Sequence, residues 1–318
     1  MADESAEVLE HQEPMLPGTE HPALRMRPLP FVILALLGIF VLYQVVGGGL
    51  TLLIFGQAVT EDNVGRMRVA TMVAQVLFLL VPTLILLKIQ HGSVRNAVSW
   101  RIPKISEILL AVAAVFSLQQ VLEGYLFFQD KIPIPQSLQP FIEMVRKMIE
   151  EAYRLLVQAH TAPELLFVIL VVSLTPAVCE ELLFRGLIQK NVTLATNPKT
   201  GFIVTGIIFG LYHVNPFLVV PLVSLGILFG FFRLKSASIL VPMIAHFTNN
   251  LISTVGLYFD NATNNSAAVS MFDSLSDFSS KFVVSSMLGF GVVFIVTMYF
   301  YIHVVSGAGA PVGEGGPQ

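Results

Sequence analysis

The chain has 318 residues, of which 54% are hydrophobic and only 12% are charged. This balance excludes an ordinary water-soluble domain, in which about a quarter of the residues are charged, and indicates a protein embedded in a membrane. The net charge of −3, without any basic block, argues against a nucleic-acid partner, and the single cysteine, Cys179, excludes an intrachain disulfide.

Both ends of the chain are polar. Residues 1–28 are largely polar and acidic, and they lack the basic start and apolar stretch of a secretory signal, so they are predicted to form a disordered tail. Residues 307–318 are rich in glycine and proline and are predicted to form a second disordered tail. The membrane domain is therefore expected to occupy residues 29–306.

Apolar runs predict about eight membrane-spanning helices, because about 20 apolar residues are needed to cross the hydrocarbon layer of about 30 Å. Polar residues divide the long apolar block from 163 to 257 into four of these runs. The run 201–214 is short for a span, and the proline in "HVNPF" predicts a turn just after it. The predicted spans are 31–55, 67–88, 107–128, 163–187, 201–214, 217–234, 237–257 and 283–304.

The segment 135–160 has a different pattern from the spans around it. Its apolar residues recur at near-helical spacing with charges between them, which predicts an amphipathic helix at the membrane interface. Such a helix could simply pack at the interface, or it could cover the bundle as a lid. The predicted fold class is thus all-α: a polytopic membrane helix bundle with one interfacial amphipathic helix.

Lysine and arginine are enriched in the cytoplasmic connections of membrane proteins, and this bias predicts the orientation of the chain. With the N-terminus inside, the outer connections hold Arg66, Arg68, Lys281 and the charges of segment 129–162. We therefore expect a multi-pass protein of the cell membrane with both termini in the cytoplasm. The inner connections hold Arg25, Arg27, Lys88, Arg95, Arg101, Lys104, Lys190, Lys199, Arg233 and Lys235.

The stretch "EELLFR" places three ionisable residues, Glu180, Glu181 and Arg185, inside a predicted span. Each ionisable group costs at least a few kcal/mol at the centre of a bilayer, so such residues usually mark a functional site. Glu181 and Arg185 are four residues apart and can pair across one helical turn. Glu180 is rotated by about 100° from that pair, which leaves it free to act as a general base or acid.

Two further polar clusters lie in later predicted spans. In "FGLYH", Phe209 is one turn before His213 and can fix the direction of its ring, and in "HFTNN", His246 and Asn250 share one helix face, with Asn249 beside them. A carboxylate, two imidazoles and an amide could activate a water molecule and stabilise a tetrahedral oxyanion. This combination indicates hydrolysis of an amide bond, although a Glu/Arg pair and buried histidines can also be purely structural.

The three clusters resemble the motifs EExxxR, FxxxH and HxxxN of the CAAX prenyl protease 2-like and bacteriocin-processing family (CPBP, Abi) of intramembrane glutamic proteases. The resemblance covers about residues 163–255, a protease-like core, and includes Gly226 and Gly230, which would allow close helix packing. It implies a bundle of eight helices around a conical cavity that is open to the cytoplasm and the lipid.

The resemblance also implies a role for each motif residue. Glu180 and His213 would deprotonate the attacking water, and His246 and Asn250 would hold the oxyanion. Glu181 and Arg185 would support the site through their pair, with Phe209 packed against His213. The expected activity is that of an endopeptidase which cuts a membrane-associated protein or peptide.

No cofactor is expected, because the family is regarded as metal-independent. Zinc remains an alternative, since a carboxylate and two histidines could ligate it, but the sequence has no HExxH helix. Two other functions stay open. The bundle could be a non-catalytic immunity or scaffold protein that binds a peptide partner, or a transporter in which buried glutamates relay protons. No internal repeat of the kind common in transporters is visible.

Overall fold

A computed structural model describes residues 24–56, 59–262 and 278–306 of the chain. The predicted tails 1–28 and 307–318 lie outside the described residues, except for residues 24–28. The described part is helical and contains no strand beyond one isolated bridge between Trp100 and Ser238. Its long helices are α1 Pro28–Phe55, α2 Val64–His91, α3 Ile105–Gln129, α4 Gln139–Val157, α5 Ala162–Ala195, α6 Pro198–Tyr212, α7 Val219–Ser236, α8 Leu240–Ala262 and α9 Ser280–Ser306.

The predicted all-α polytopic bundle is confirmed. Six of the described helices, α1, α2, α3, α5, α7 and α9, are long and apolar enough to cross a membrane. The predicted span 201–214 corresponds to α6, whose 15 residues reach only about 22 Å. The predicted span 237–257 corresponds to α8, which has 23 residues and is long enough, but the "HFTNN" stretch lowers its hydropathy.

Helix α5 is longer than the predicted span 163–187, since it continues to Ala195. The first polar residues after 187 do not mark an exit from the bundle, because Gln189 and Asn191 are buried against neighbouring helices. Gln189 donates a hydrogen bond to the carbonyl of Gly230 in α7 (2.9 Å), and Asn191 accepts one from Gln90 in α2 (3.2 Å). The predicted end at residue 187 was wrong, because the prediction treated the polar residues after it as exposed to water.

Helix α5 is also the central element of the core. Its residues from Leu182 to Gln189 are all buried, and two of its turns, Ile169–Leu174 and Leu182–Ile188, have the wider π-helical geometry. Such turns often occur at functional sites, because they rotate the residues around them relative to a regular helix. The second π-helical stretch contains Arg185, so the "EELLFR" stretch lies where the helix is irregular.

Helices α6 and α7 form a closely packed hairpin beside α5. A Cβ atom added to Gly206 would lie 2.5 Å from the backbone nitrogen of Ile227, and one added to Gly226 would lie 2.7 Å from the carbonyl oxygen of Gly206. Only glycine permits this approach of two backbones, as is usual where membrane helices pack through small residues. The close packing expected at Gly226 and Gly230 is therefore present.

We expect Gly206→Ala to destabilise the protein by about 1–3 kcal/mol, because the added methyl group forces the two backbones apart. The matched control is Gly38→Ala in α1, where an added Cβ meets nothing within 4 Å. That variant should be unchanged or slightly more stable, since alanine favours helix over glycine. Thermal unfolding of both variants in detergent micelles tests the prediction, and equal unfolding temperatures would contradict it.

The amphipathic segment forms helix α4, which is held to the rest of the protein at two places along its length. At its C-terminal end, the buried Arg68 of α2 donates to the carbonyls of Leu155 (3.0 Å), Leu156 (2.9 Å) and Gln158 and pairs with Glu164 of α5 (2.6 Å). A cation at this position complements the free carbonyls of a helix end.

The first half of α4 is held by a second arginine. Arg146 pairs with Asp130, just after α3, at 2.6 Å, and its guanidinium lies 4.8 Å from the centre of the Phe217 ring in the α6–α7 connection. Phe141 and Met148, in contrast, point away from the bundle and are exposed. Helix α4 therefore crosses one end of the bundle, with an apolar stripe that faces outward.

Candidate active site

Residues of all three motifs meet at one cavity of about 290 Å³ inside the bundle. Glu180 comes from α5, His213 from the end of α6, and His246 and Asn250 from α8. The structure thus brings together all four residues that the sequence predicted as catalytic, although they are separated by up to 70 positions along the chain.

His213 is the first residue after α6, and its ring orientation is fixed by the helix. Its Nδ1 lies 2.7 Å from the carbonyl oxygen of Phe209, one turn earlier. Because a carbonyl oxygen only accepts hydrogen bonds, Nδ1 must carry the proton, and Nε2 of the neutral ring is then an acceptor. The next residue, Val214, has a φ of 51°, which a β-branched side chain rarely adopts, so the chain turns sharply after the histidine.

Glu180 faces His213 across a short gap. Glu180 Oε2 lies 3.7 Å from His213 Nε2, too far for a direct hydrogen bond but close enough for one water molecule to contact both atoms. Within the described part of the chain, this carboxylate oxygen is buried and has no hydrogen-bond partner. The two groups therefore form an acceptor pair that a bound water could satisfy.

The second glutamate belongs to a separate, fully buried network. Glu181 Oε1 accepts a hydrogen bond from Arg185 Nη1 (2.9 Å) and another from His246 Nδ1 (2.9 Å). Arg185 Nη2 donates to the carbonyl of Gly226 (2.9 Å), so the network also connects α5 to α7. Since Nδ1 of His246 is used by Glu181, Nε2 is the nitrogen that His246 can offer to the cavity.

Phe209 packs against three charged or titratable side chains of the site. Its ring centre lies 4.8 Å from that of His213, 5.7 Å from that of His246 and 4.7 Å from the Arg185 guanidinium. Phe229 stacks on the His246 ring, with ring centres 5.2 Å apart. The two phenylalanine rings also lie beside the Arg185 guanidinium and exclude water from it, which strengthens its pairing with Glu181.

The amide side chains near the cavity already use some of their donors and acceptors in hydrogen bonds within the protein. Asn250 donates to the carbonyl of Val172 (3.2 Å) and accepts from Asn249 (3.2 Å). One N–H of the Asn250 amide is left over to act in the cavity, because an amide nitrogen has two donors. Asn215, in the α6–α7 connection, uses its side-chain oxygen to accept from the backbone N–H of Phe217 (3.1 Å).

Four further polar residues line the cavity that the sequence did not identify as site residues: Tyr153, Asn215, Asn249 and Ser253. Asn249 was noted in its cluster, and Ser253 lies one turn after it on α8. Asn215 was visible only as part of the "HVNPF" turn. Tyr153 is one of the residues that recur at near-helical spacing in segment 135–160, and nothing in that spacing indicated the cavity. Burial raises the pKa of its phenol to about 12, so the hydroxyl keeps its proton at neutral pH.

Within residues 24–56, 59–262 and 278–306, no group of three or more His, Cys, Asp or Glu side chains is arranged to hold a metal ion. Glu181 is paired to an arginine rather than turned toward the cavity, and Cys179 is buried on another face of α5. The cavity thus offers one carboxylate and two imidazoles, and its remaining polar groups are amides and hydroxyls.

The fold and the cavity define a polytopic membrane helix bundle with a glutamate and a histidine that face each other in its interior. Residues 162–252 match the family model described as Type II CAAX prenyl endopeptidase Rce1-like. This match contains all three motifs and nearly coincides with the predicted core 163–255, so it supports the predicted resemblance of this part of the chain to the CAAX protease family. No curated protein and no solved structure matches the chain.

Proposed function

We propose that the protein is an intramembrane glutamic endopeptidase that hydrolyses a peptide bond with a water molecule activated by Glu180 and His213. The observation that carries this proposal is the 3.7 Å approach of Glu180 Oε2 to His213 Nε2, with His213 Nδ1 held by a carbonyl oxygen. Both facing atoms are acceptors when His213 is neutral and Glu180 is ionised. One water can then donate a hydrogen to each atom and keep its lone pairs for attack.

The attack forms a bond between the water oxygen and the carbonyl carbon of the substrate. The electron pair of the carbonyl moves onto its oxygen, and the proton of the water passes to the Glu180–His213 pair. When the C–N bond breaks, the same pair returns this proton to the leaving amine, so that the site ends in its original protonation state.

The oxyanion that forms on the substrate needs hydrogen-bond donors. Asn250 has one uncommitted N–H, and His246 can donate from Nε2 when its ring carries both protons. Glu181 fixes the His246 ring, and Arg185 in turn fixes Glu181. Donors held in place in this way cost no reorganisation when the charge develops, which is why such sites stabilise transition states strongly.

This reaction takes its base and its oxyanion donors from side chains, so we propose that it needs no metal or cofactor. The substrate class follows from the family and from the position of the site in an apolar bundle. We propose a membrane-associated protein or peptide, because the cavity lies inside a bundle of membrane-spanning helices.

A comparison of membrane peptides from cells that express the wild type or Glu180→Gln tests the proposal. Glutamine keeps the shape of the side chain but cannot take the proton of the water, so uncut peptides should accumulate only in the variant. The matched control is Glu123→Gln, which makes the same change in α3 at a glutamate outside the cavity lining. A scaffold protein would give the same peptides in all three strains, and that result would rule the protease out.

A further inference from the structure

The last turns of α5 and α7 lie at the same end of the bundle, and the α2–α3 connection joins them. Lys190, near the end of α5, donates a hydrogen bond to the carbonyl of Ala97 in this connection (2.8 Å). Further along the connection, Arg101 donates to the carbonyl of Ser236, the last residue of α7 (2.7 Å). The ends of α5 and α7 and the connection therefore form one packed region.

Arg233, in the last turn of α7, has no paired carboxylate in this region. Its side chain is half-buried, and its Nε is enclosed without a hydrogen-bond partner in the described part of the chain. None of the salt bridges between described residues includes it. Buried donors are almost always bonded, and an enclosed charge without a partner costs free energy. Arg233 therefore needs an acceptor that the described residues do not supply.

A second cation lies near Arg233. The charge of Arg233 acts on the ammonium of Lys190, so the two positive charges repel each other. Residues 88–107, 190–200 and 233–242, which surround the two helix ends, contain a single acid, Glu107. That carboxylate is fully buried and is paired with Arg101. Lys190 and Arg233, named here the basic cluster, therefore create a positive potential that attracts anions.

The basic cluster lies at the depth of the lipid headgroups. Helices α5 and α7 are both long and apolar enough to cross a membrane, and the cluster lies in their last two turns. Trp100 of the α2–α3 connection is 44% exposed, and tryptophan is enriched at the boundary between membrane and water. Basic pockets between membrane helices at this depth bind the headgroups of anionic lipids.

We propose that Arg233 and Lys190 bind a phosphate group, which an anionic membrane lipid or free phosphate supplies. The planar guanidinium fits two phosphate oxygens at once, and the ammonium of Lys190 adds a second positive charge. The bound phosphate gives Arg233 its missing acceptor and offsets the repulsion between the two cations. It also links the end of α5 to the end of α7. Neither residue of the basic cluster lines the cavity of the candidate active site, so this binding site is separate from the proposed protease reaction.

Unfolding of the full chain with defined ligands tests this site. The purified protein in neutral detergent micelles is titrated with phosphatidylglycerol, with the zwitterionic phosphatidylcholine or with inorganic phosphate, and its unfolding temperature is measured. A ligand that binds only the folded protein raises this temperature. We expect phosphatidylglycerol to raise it more than phosphatidylcholine does, because only the first carries a net negative charge. A rise with inorganic phosphate as well would assign the site to the phosphate group itself, and a rise with phosphatidylglycerol alone would assign it to a lipid.

Arg233→Gln should weaken the apparent Kd for phosphatidylglycerol by about tenfold or more, because a two-bond pair between charged groups is lost. The matched control is Lys235→Gln, which removes the same charge from an exposed side chain two residues further along the chain. Its Kd should equal that of the wild type. If Arg233→Gln does not fold, Lys190→Gln tests the same site, and it should also weaken the binding of phosphatidylglycerol.

Three results would overturn the proposal. Equal stabilisation of the wild type by phosphatidylglycerol and phosphatidylcholine, with none by inorganic phosphate, would show that the protein does not select an anion. An unchanged Kd in Arg233→Gln and Lys190→Gln would place the anion elsewhere. An equal loss of affinity in Lys235→Gln would indicate a general attraction to the charged surface instead of one bound phosphate.

Discussion

Glu180→Gln is expected to lower the rate of peptide cleavage by at least about 10²–10⁴-fold, the usual contribution of a general base. The fold should be unchanged, because Glu180 Oε2 makes no hydrogen bond to the described part of the protein, and the substitution therefore breaks no such contact. The rate is measured in single turnovers with purified protein in lipid vesicles. The substrate is a peptide that the membrane comparison identifies as uncut in the variant.

The double variant Glu180→Gln, His213→Ala sharpens this prediction. If the two side chains act on one water molecule, the double variant should lose little more activity than the worse of the two single variants. Independent roles would instead give losses that multiply. All three variants must unfold at temperatures close to that of the wild type. A loss of activity can then be assigned to the site and not to unfolding. Full activity of Glu180→Gln would disprove the proposed base.

The sequence predicted the main features of the fold because membrane helices are encoded in composition. A run of about 20 apolar residues has few alternatives in a bilayer, where every backbone group must be bonded internally. Helix ends were less certain. The end of α5 was misplaced at residue 187, because Gln189 and Asn191 are polar yet buried, and hydropathy cannot distinguish a polar residue in water from one bonded to a neighbouring helix.

The motif residues of the site were predictable for a different reason. Glu180, His213 and His246 are conspicuous because ionisable groups are expensive inside a membrane, so few of them occur there. Tyr153 and Asn215 were not predictable in this way. A tyrosine on an interfacial helix and an asparagine in a turn are both ordinary in those settings. Only the packing of α4 across the bundle, fixed by Arg68 and Arg146, shows that these residues reach the cavity.

Arg185→Met is expected to destabilise the protein by about 3–5 kcal/mol, the typical cost of removing one partner from a buried ion pair. Glu181 and Arg185 are completely buried, and their side chains are 2.9 Å apart. Methionine has a similar length and leaves no large cavity, so the loss comes mainly from the Glu181 carboxylate, which keeps only its contact with His246. Chemical or thermal unfolding in detergent micelles measures this loss.

An exposed ion pair with the same i,i+4 spacing provides the control for this experiment. Lys147 and Glu151 are paired at 3.8 Å on α4, with 77% and 64% of their side chains exposed. Water screens such a pair, so Lys147→Met should change stability by no more than about 0.5 kcal/mol.

A second variant separates charge from packing. Glu181→Gln combined with Arg185→Met removes both charges, so it should recover part of the stability that Arg185→Met loses, because no ion remains buried without its partner. The double variant should nevertheless cleave slowly, since His246 loses the carboxylate that fixes its ring. Recovery of stability without recovery of activity would show that the pair is retained to orient the site. If the double variant were less stable than Arg185→Met, the pair would be needed for folding itself, and its proposed role as a support for His246 would fail.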